Sequence, residues 1–357
     1  MRLKEGADAA TMLRTATIGV VAGLSLSASA LACGFHGYVP QDTMVEDMLT
    51  SGHIVLARPA ADNPFRYEPV EHLLGRAGPV EIPQLVDSLT RRMLRANPDD
   101  TVLFARDSMD GTWQELAYID PDLRTVVEKV VDRYFDWSSG DDDDRPQFFA
   151  DLHDHPNWTI SELALLELDR VDYADLRTLN IQPDYEAIRA RLYFWTESHL
   201  KAIRVLLIGL AGDPGAEELL IEGVGSVNGM SPALVGAYAT AWLELSGADA
   251  ARGLSAKFLQ NPKVSDTKKT LIIEAMAIHS QGGDTATRQA IAAELETTLA
   301  MAPDLAPLVA RQFGARNDWS QRDALSDVLK QSSLRSVTDV LLVSQYVAQA
   351  TQYTETN

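Results

Sequence analysis

The apolar positions change period near the middle of the chain. Met44, Val45, Met48 and Leu49 fall at helical spacing and predict a short helix over 41–50. Residues 54–58 read as a strand ended by Pro59. Phe65-Arg66-Tyr67-Glu68 alternates apolar and polar, as a half-buried strand does, and Val70 to Leu74 continues it, with Pro69 marking a bulge or an edge. Leu85, Val86, Leu89, Met93 and Leu94 predict an amphipathic helix over 83–95 with Pro83 in its first turn. Residues 101–106 and 113–119 read as a strand pair joined by a turn at Ser108–Gly111, whose Asp-Gly step is a hairpin signal. Asp120-Pro121 opens a helix through Val126, Val127, Val130 and Tyr134.

From Arg145 onward the strand signals stop. Helical segments recur between Gly, Asp and Pro breaks. Gly212, Gly247 and Gly282 stand 35 residues apart, and a fourth step lands on Asn317-Asp318. An Asp comes just after each break (Asp213, Asp249, Asp284, Asp318), as a helix stop followed by an N-cap requires. Ile208, Leu243 and Ile278 lie four residues before the glycines, and Ile203, Tyr238 and Ile273 nine before. A period near 35 with paired helices signals an α-solenoid, in which each helix pair buries its apolar face against its neighbours. The pattern resembles HEAT-like repeats in four to five units, a likeness that carries no catalytic signature. Leu163 to Arg177 reads as an earlier, more irregular unit.

The ends and the middle divide the chain further. Residues 16–32 are uncharged and apolar, then small, which is the pattern of a secretory leader over 1–32 with Ala30-Leu31-Ala32 as its cleavage motif. Met12 gives a more basic start than Met1, so either can be the initiator. Cleavage after Ala32 makes Cys33 the first mature residue, either free or acylated as in bacterial lipoproteins, whose pattern prefers Leu where Ala30 stands. The expected organisation is a leader, an α+β unit over 33–138, an acidic linker over 139–146, a helical-repeat domain over 147–350 and a disordered tail over 351–357. The fold expected overall is mostly α.

Composition bounds the partners. Thirty-one Lys and Arg face 51 Asp and Glu among 357 residues, a net charge of −20. That excludes a nucleic-acid backbone or an anionic membrane surface as the main partner. A single Cys excludes an internal disulfide and any Cys-x-x-Cys module. The order Cys33, helix, "HIVLARPA", "FRYEPVEHLLG" resembles the opening of bacterial netrin-like (TIMP-like) domains over residues 33–120. It departs from that family in having one cysteine rather than several, and in Leu74-Gly75 lacking the intervening Lys. The resemblance implies a small OB-like barrel and a mature N-terminal Cys able to contact metal.

Two constellations could hold a metal. Cys33 and His36, with the free α-amine, place three donors within four residues, suited to Cu(I) or Zn²⁺. His153 and His155, between Asp151 and Asp154, are a second candidate for zinc or copper. The competing reading of that cluster is a helix end followed by a capping box from Thr159 to Glu162. Asp141–Asp144 lacks the alternating ligands and distal Glu of an EF-hand. No Gly-x-Ser-x-Gly elbow, His-Glu-x-x-His pair or phosphate-binding glycine loop occurs. Tyr193, Phe194 and Trp195, with Trp158 and Trp242, are expected to pack between helices. The expected function is a non-enzymatic, exported binding or scaffolding protein of the cell envelope, periplasmic or lipid-anchored, with an envelope protein partner. The alternative is periplasmic copper or zinc handling. The intact mass of the protein from its own host separates the two mature forms: a diacylated Cys33 means a tethered protein, and an unmodified Cys33 leaves amine and thiol free together.

Overall fold

The computed structural model describes residues 39–107, 111–226 and 232–356. The leader, Cys33, His36 and the turn at 108–110 lie outside them. The described residues belong to one compact unit, mostly helical, with a small antiparallel sheet near its N-terminal end.

Helix α1 (Met44–Leu49) is capped by Thr43, whose Oγ1 accepts from the Glu46 amide. Five strands come next: β1 (His53–Pro59), β2 (Arg66–Leu74), β3 (Ile82–Leu85), β4 (Thr101–Arg106) and β5 (Gln114–Ile119). Helix α2 (Ser88–Ala96) lies between β3 and β4. Every pairing is antiparallel, in the order β3-β2-β1-β4-β5. The sheet is curled, with β3 and β5 at the two ends of that order and no pairing between them among the described residues. Leu56 pairs Glu71 and Ala57 pairs Pro69, so Val70 is extra: Pro69 sits at a bulge, where its missing N–H does no harm.

The expected helix over 83–95 is only half present. Ile82–Leu85 is extended, and the Val86 amide donates to Phe65 O at 3.0 Å, continuing that edge. Asp87 then starts α2, its carboxylate accepting from the Leu89 and Thr90 amides at 2.7 and 3.1 Å. A cap that satisfies two orphan amides outweighs the helical spacing of Leu85 and Val86.

The central strands are covered on both faces. Ile54, Leu56, Leu103 and Ala105 pack with Val45 and Met48 of α1 and with Leu123, Val126, Val127 and Val130 of α3 (Pro121–Asp132). Val55, Ala57, Val102 and Phe104 pack with Tyr67, Ile82, Val86, Leu94 and Trp113. Helix α4 (Tyr134–Ser139) ends at Gly140, which takes the left-handed conformation at φ +87°. Asp144 accepts from Trp137 Nε1 at 2.7 Å and faces Arg133 at 2.7 Å, so the acidic stretch is a short turn into α5 (Arg145–Ala150). Those two donors hold the stretch in a turn rather than the extended linker read from the sequence, while Asp141, Asp143 and Asp144 stay exposed to solvent.

Helix α6 (Trp158–Leu168) is buried on both sides. Ile160, Leu163 and Ala164 join the sheet-side core, and Leu165 and Leu168 join the helical core. The chain continues through α7 (Tyr173–Leu176), α8 (Tyr185–Arg191), a 3₁₀ turn (Trp195–Leu200), α9 (Lys201–Ala211), α10 (Glu217–Gly225) and α11 (Pro232–Leu254). Then come a π turn (Ser255–Leu259), α12 (Asp266–Gly282), α13 (Thr285–Met301), α14 (Ala306–Ala315), α15 (Arg322–Lys330) and α16 (Val337–Thr356). Helices α9, α11, α12, α14 and α16 pack in succession, and α10, α11, α13 and α15 do the same. Gly209 permits a close approach of α9 to α11, because a Cβ there would sit 2.7 Å from Ala241 Cα. Helix α16 passes residue 350, where the tail was expected to begin. Arg322 Nη1 donates to Thr354 Oγ1 at 3.3 Å, and the Tyr353 ring lies 6.4 Å from Trp319.

Arg145 ties the two cores together. It donates to Glu46 at 2.5 Å and to Glu167 at 2.9 Å, while Thr43 Oγ1 donates to Glu167 from α1's cap. The Glu167 side chain is 3% exposed. Arg145→Ala removes its cation and should destabilise the fold by about 3 kcal/mol in urea unfolding, with Arg145→Lys recovering part of it. No change would mean that the pair does not hold the cores together.

Candidate binding surface

Of the two candidate metal sites, Cys33 and His36 lie outside the described residues, and His153 and His155 can be placed. His153 Nδ1 lies 2.7 Å from Ala150 O, and His155 Nδ1 accepts from the Asn157 amide at 3.1 Å. Both rings are thus turned onto their own chain at the end of α5. Asn157, not Thr159, caps α6: its Oδ1 accepts from the Thr159 amide at 3.0 Å. Among the described residues no group of three or more His, Cys, Asp or Glu could hold a metal ion. Nor is any described helix long and apolar enough to cross a membrane.

The surface is most unusual between α8 and α9. Tyr193 is 69% exposed, Phe194 52% and Trp195 86%, where packing between helices was expected. Trp242 is buried as expected and Trp158 partly so. The segment is pinned at both ends. Leu192 and Leu200 are buried on either side of it. Between them Glu197 faces Arg191 at 2.5 Å and Arg204 at 2.5 Å, and Arg204 also donates to Arg191 O at 3.2 Å. Burial pushes the Glu197 carboxyl up, but the two guanidiniums outweigh it and hold the group below the usual carboxylate range. The Arg191 guanidinium in turn lies 3.8 Å over the Trp158 ring. The three rings therefore project from a braced loop. Three adjacent aromatics cannot share one face of a helix, and that signal was present in the sequence.

One concavity adjoins this part of the molecule, and another lies along the later helices. A cavity of about 340 Å³ opens beside Tyr193, walled by Tyr238, Leu219 and Gly223, with Lys201, Glu222 and Ser226 at its polar side. A shallower groove of about 620 Å³ runs past Ser280, Arg288, Arg316, Asp318, Trp319 and Tyr353. In it Ser280 Oγ donates to Asp318 Oδ2 at 2.7 Å.

Behind the groove lies a buried polar cluster. Arg177 grips Glu244 with Nε at 2.5 Å and Nη2 at 3.1 Å, and its Nη1 donates to Gly282 O. Tyr173 donates its hydroxyl proton to the same carboxylate. These bonds outweigh burial and hold the Glu244 carboxyl below its usual range, while burial and Glu244 push the Tyr173 phenol well above its own. His279 is 1% exposed, with Nδ1 3.8 Å from Glu244. Burial brings its pKa down to about 4, so the ring is neutral at neutral pH and this contact is no ion pair. The cluster fastens α7 to α11 and α12.

Comparisons with protein-family models, curated proteins and solved structures find no match to this chain. The geometry alone therefore carries the functional reading.

The unfolded chain takes up the His279 proton near pH 6.5, and the folded protein near pH 4. Stability should fall as pH drops through that window, by about 3 kcal/mol at most. His279→Gln should flatten the decline of melting temperature between pH 7 and 4 relative to wild type. Identical slopes would show that the folded state protonates His279 freely.

Proposed function

We propose that this chain is an exported, non-enzymatic binding or scaffolding protein of the cell envelope, whose helical part is a HEAT-like repeat array offering its surface to a protein partner. The helix breaks support the repeat reading. Gly212 ends α9 in the left-handed conformation at φ +68°, Gly247 breaks α11 at φ +49°, α12 ends at Gly282, and Asn317 comes after α14 at φ +54°. Asp213 and Asp284 cap the next helical segments, and Asp318 accepts from the Ser320 amide. Ile203, Ile208, Tyr238, Leu243, Ile273 and Ile278, the positions that recur with the breaks, are all buried. Two rows of successively packed helices suit a solenoid, and long solenoid surfaces suit protein partners.

One observation carries the binding reading: three consecutive exposed aromatics on a braced loop. Clustered exposed apolar surface marks interaction sites, and Trp and Tyr dominate the residues that supply binding energy. A rigid loop also has little ordering entropy to lose on association.

Phe194→Ala with Trp195→Ala should leave the melting temperature nearly unchanged, since exposed side chains cost within about 0.5 kcal/mol. The same pair should weaken partner capture at least tenfold. A photo-crosslinking residue at position 193, introduced in the native host, tests this. A discrete protein adduct lost in the double variant is the expected result. No adduct, or one unaffected by the double variant, sinks the reading.

A further inference from the structure

The inward-turned arginines of the helical region come with carboxylates: Arg177 with Glu244, Arg191 and Arg204 with Glu197, Arg316 with Glu274. Lys201 does not. It is the first residue of α9 and half-buried, and no carboxylate among the described residues lies within 4.0 Å of its Nζ. Its one cationic contact is the Tyr193 ring, 4.9 Å away. Burial makes this position costly for a cation, because it weakens hydration and lowers the pKa. Buried Lys268 and Lys269 also lack a paired carboxylate among the described residues, and Lys268 donates instead to Gly225 O at 3.0 Å; what sets Lys201 apart is that it faces a cavity.

Lys201 also opens onto the 340 Å³ cavity beside the aromatic loop. The walls at Tyr193, Leu219 and Tyr238 are apolar, and Gly223 has no side chain because the Tyr238 ring fills the place where its Cβ would be. The volume suits one large apolar side chain. Glu222 lines the same cavity without pairing to Lys201, and it can accept from an N–H donor of the bound segment.

We propose that the partner is bound through a segment carrying a large apolar side chain next to an Asp or Glu: the apolar group fills the cavity against Tyr193 and Tyr238, and the side-chain carboxylate pairs with Lys201 at the start of α9. This rests on the protein-binding reading above and names the chemistry of the partner. The carboxylate answers the desolvated ammonium, next to the exposed rings of the aromatic loop. Because the pair is shielded on one side by aromatic rings, salt weakens it less than a fully exposed pair.

Selection of a random dodecapeptide display library on the full chain tests this. Wild type should enrich an apolar residue adjacent to an acidic one. An enriched peptide, synthesised with a fluorophore, should lose about tenfold in affinity with Lys201→Gln, keep most of it with Lys201→Arg, and lose about tenfold when its own acid is changed to the amide. Lys201→Glu should enrich basic peptides instead. Amidating the peptide's C-terminus should change nothing. Sensitivity to amidation with indifference to the acidic side chain would overturn the proposal in favour of a terminal carboxylate. Peptides that need Trp195 but carry no acid overturn this inference and leave the binding reading standing. No enrichment, or enrichment indifferent to Trp195→Ala, removes both.

Discussion

Helix α6 carries apolar residues on more than one side, and a helix of that kind must be covered by more than one neighbour. The sheet and α3 cover one side, and α9 with the helical core covers the other. Much of the architecture is a consequence of that requirement. The α+β part and the helical part cannot be separate bodies, because each supplies a wall that α6 requires. The Arg145 clamp reinforces the same seam with charge: it reaches Glu46 on α1 and Glu167 on α6 from a single guanidinium.

The helical region uses one device repeatedly. An apolar helix supplies packing, and an arginine–carboxylate pair between neighbouring segments fixes its angle. Arg177 and Glu244 join α7 to α11, while Arg204 and Glu197 brace the turn before α9. At this second site the interior arrangement has an exterior consequence. A loop whose ends are locked by buried leucines and an ion triad can hold three aromatic rings in water, where a mobile loop would fold them inward. The surface feature is thus produced by the core beneath it.

Much of this was legible in the residues. The strands at 53–59, 101–106 and 114–119, the bulge at Pro69, and the start of α3 at Asp120-Pro121 come from alternation and capping chemistry. The helix stops at Gly212, Gly282 and Asn317 come from the 35-residue spacing. Where the reading failed, a competing local bond decided. Asp87 moved the start of α2, Asn157 took the cap assigned to Thr159, and Trp137 with Arg133 drew Asp144 out of the supposed linker. The binding surface was the least legible part. Tyr193, Phe194 and Trp195 read as core by composition, and only the buried partners of Arg191 and Arg204 show why they face outward. Lys201 carries no sequence signal, because being unpaired is a property of three-dimensional neighbours.

The seam also constrains the order in which the molecule can be completed. The sheet-side core includes Phe149, Ile160, Leu163 and Ala164, so about a hundred residues separate β1 from the last wall of its own core. A chain delivered N-terminus first has α1 and the whole sheet in hand before that wall exists. Through that interval the apolar face of Ile54, Leu56 and Leu103 lacks part of its cover. That core is closed only once α6 has arrived.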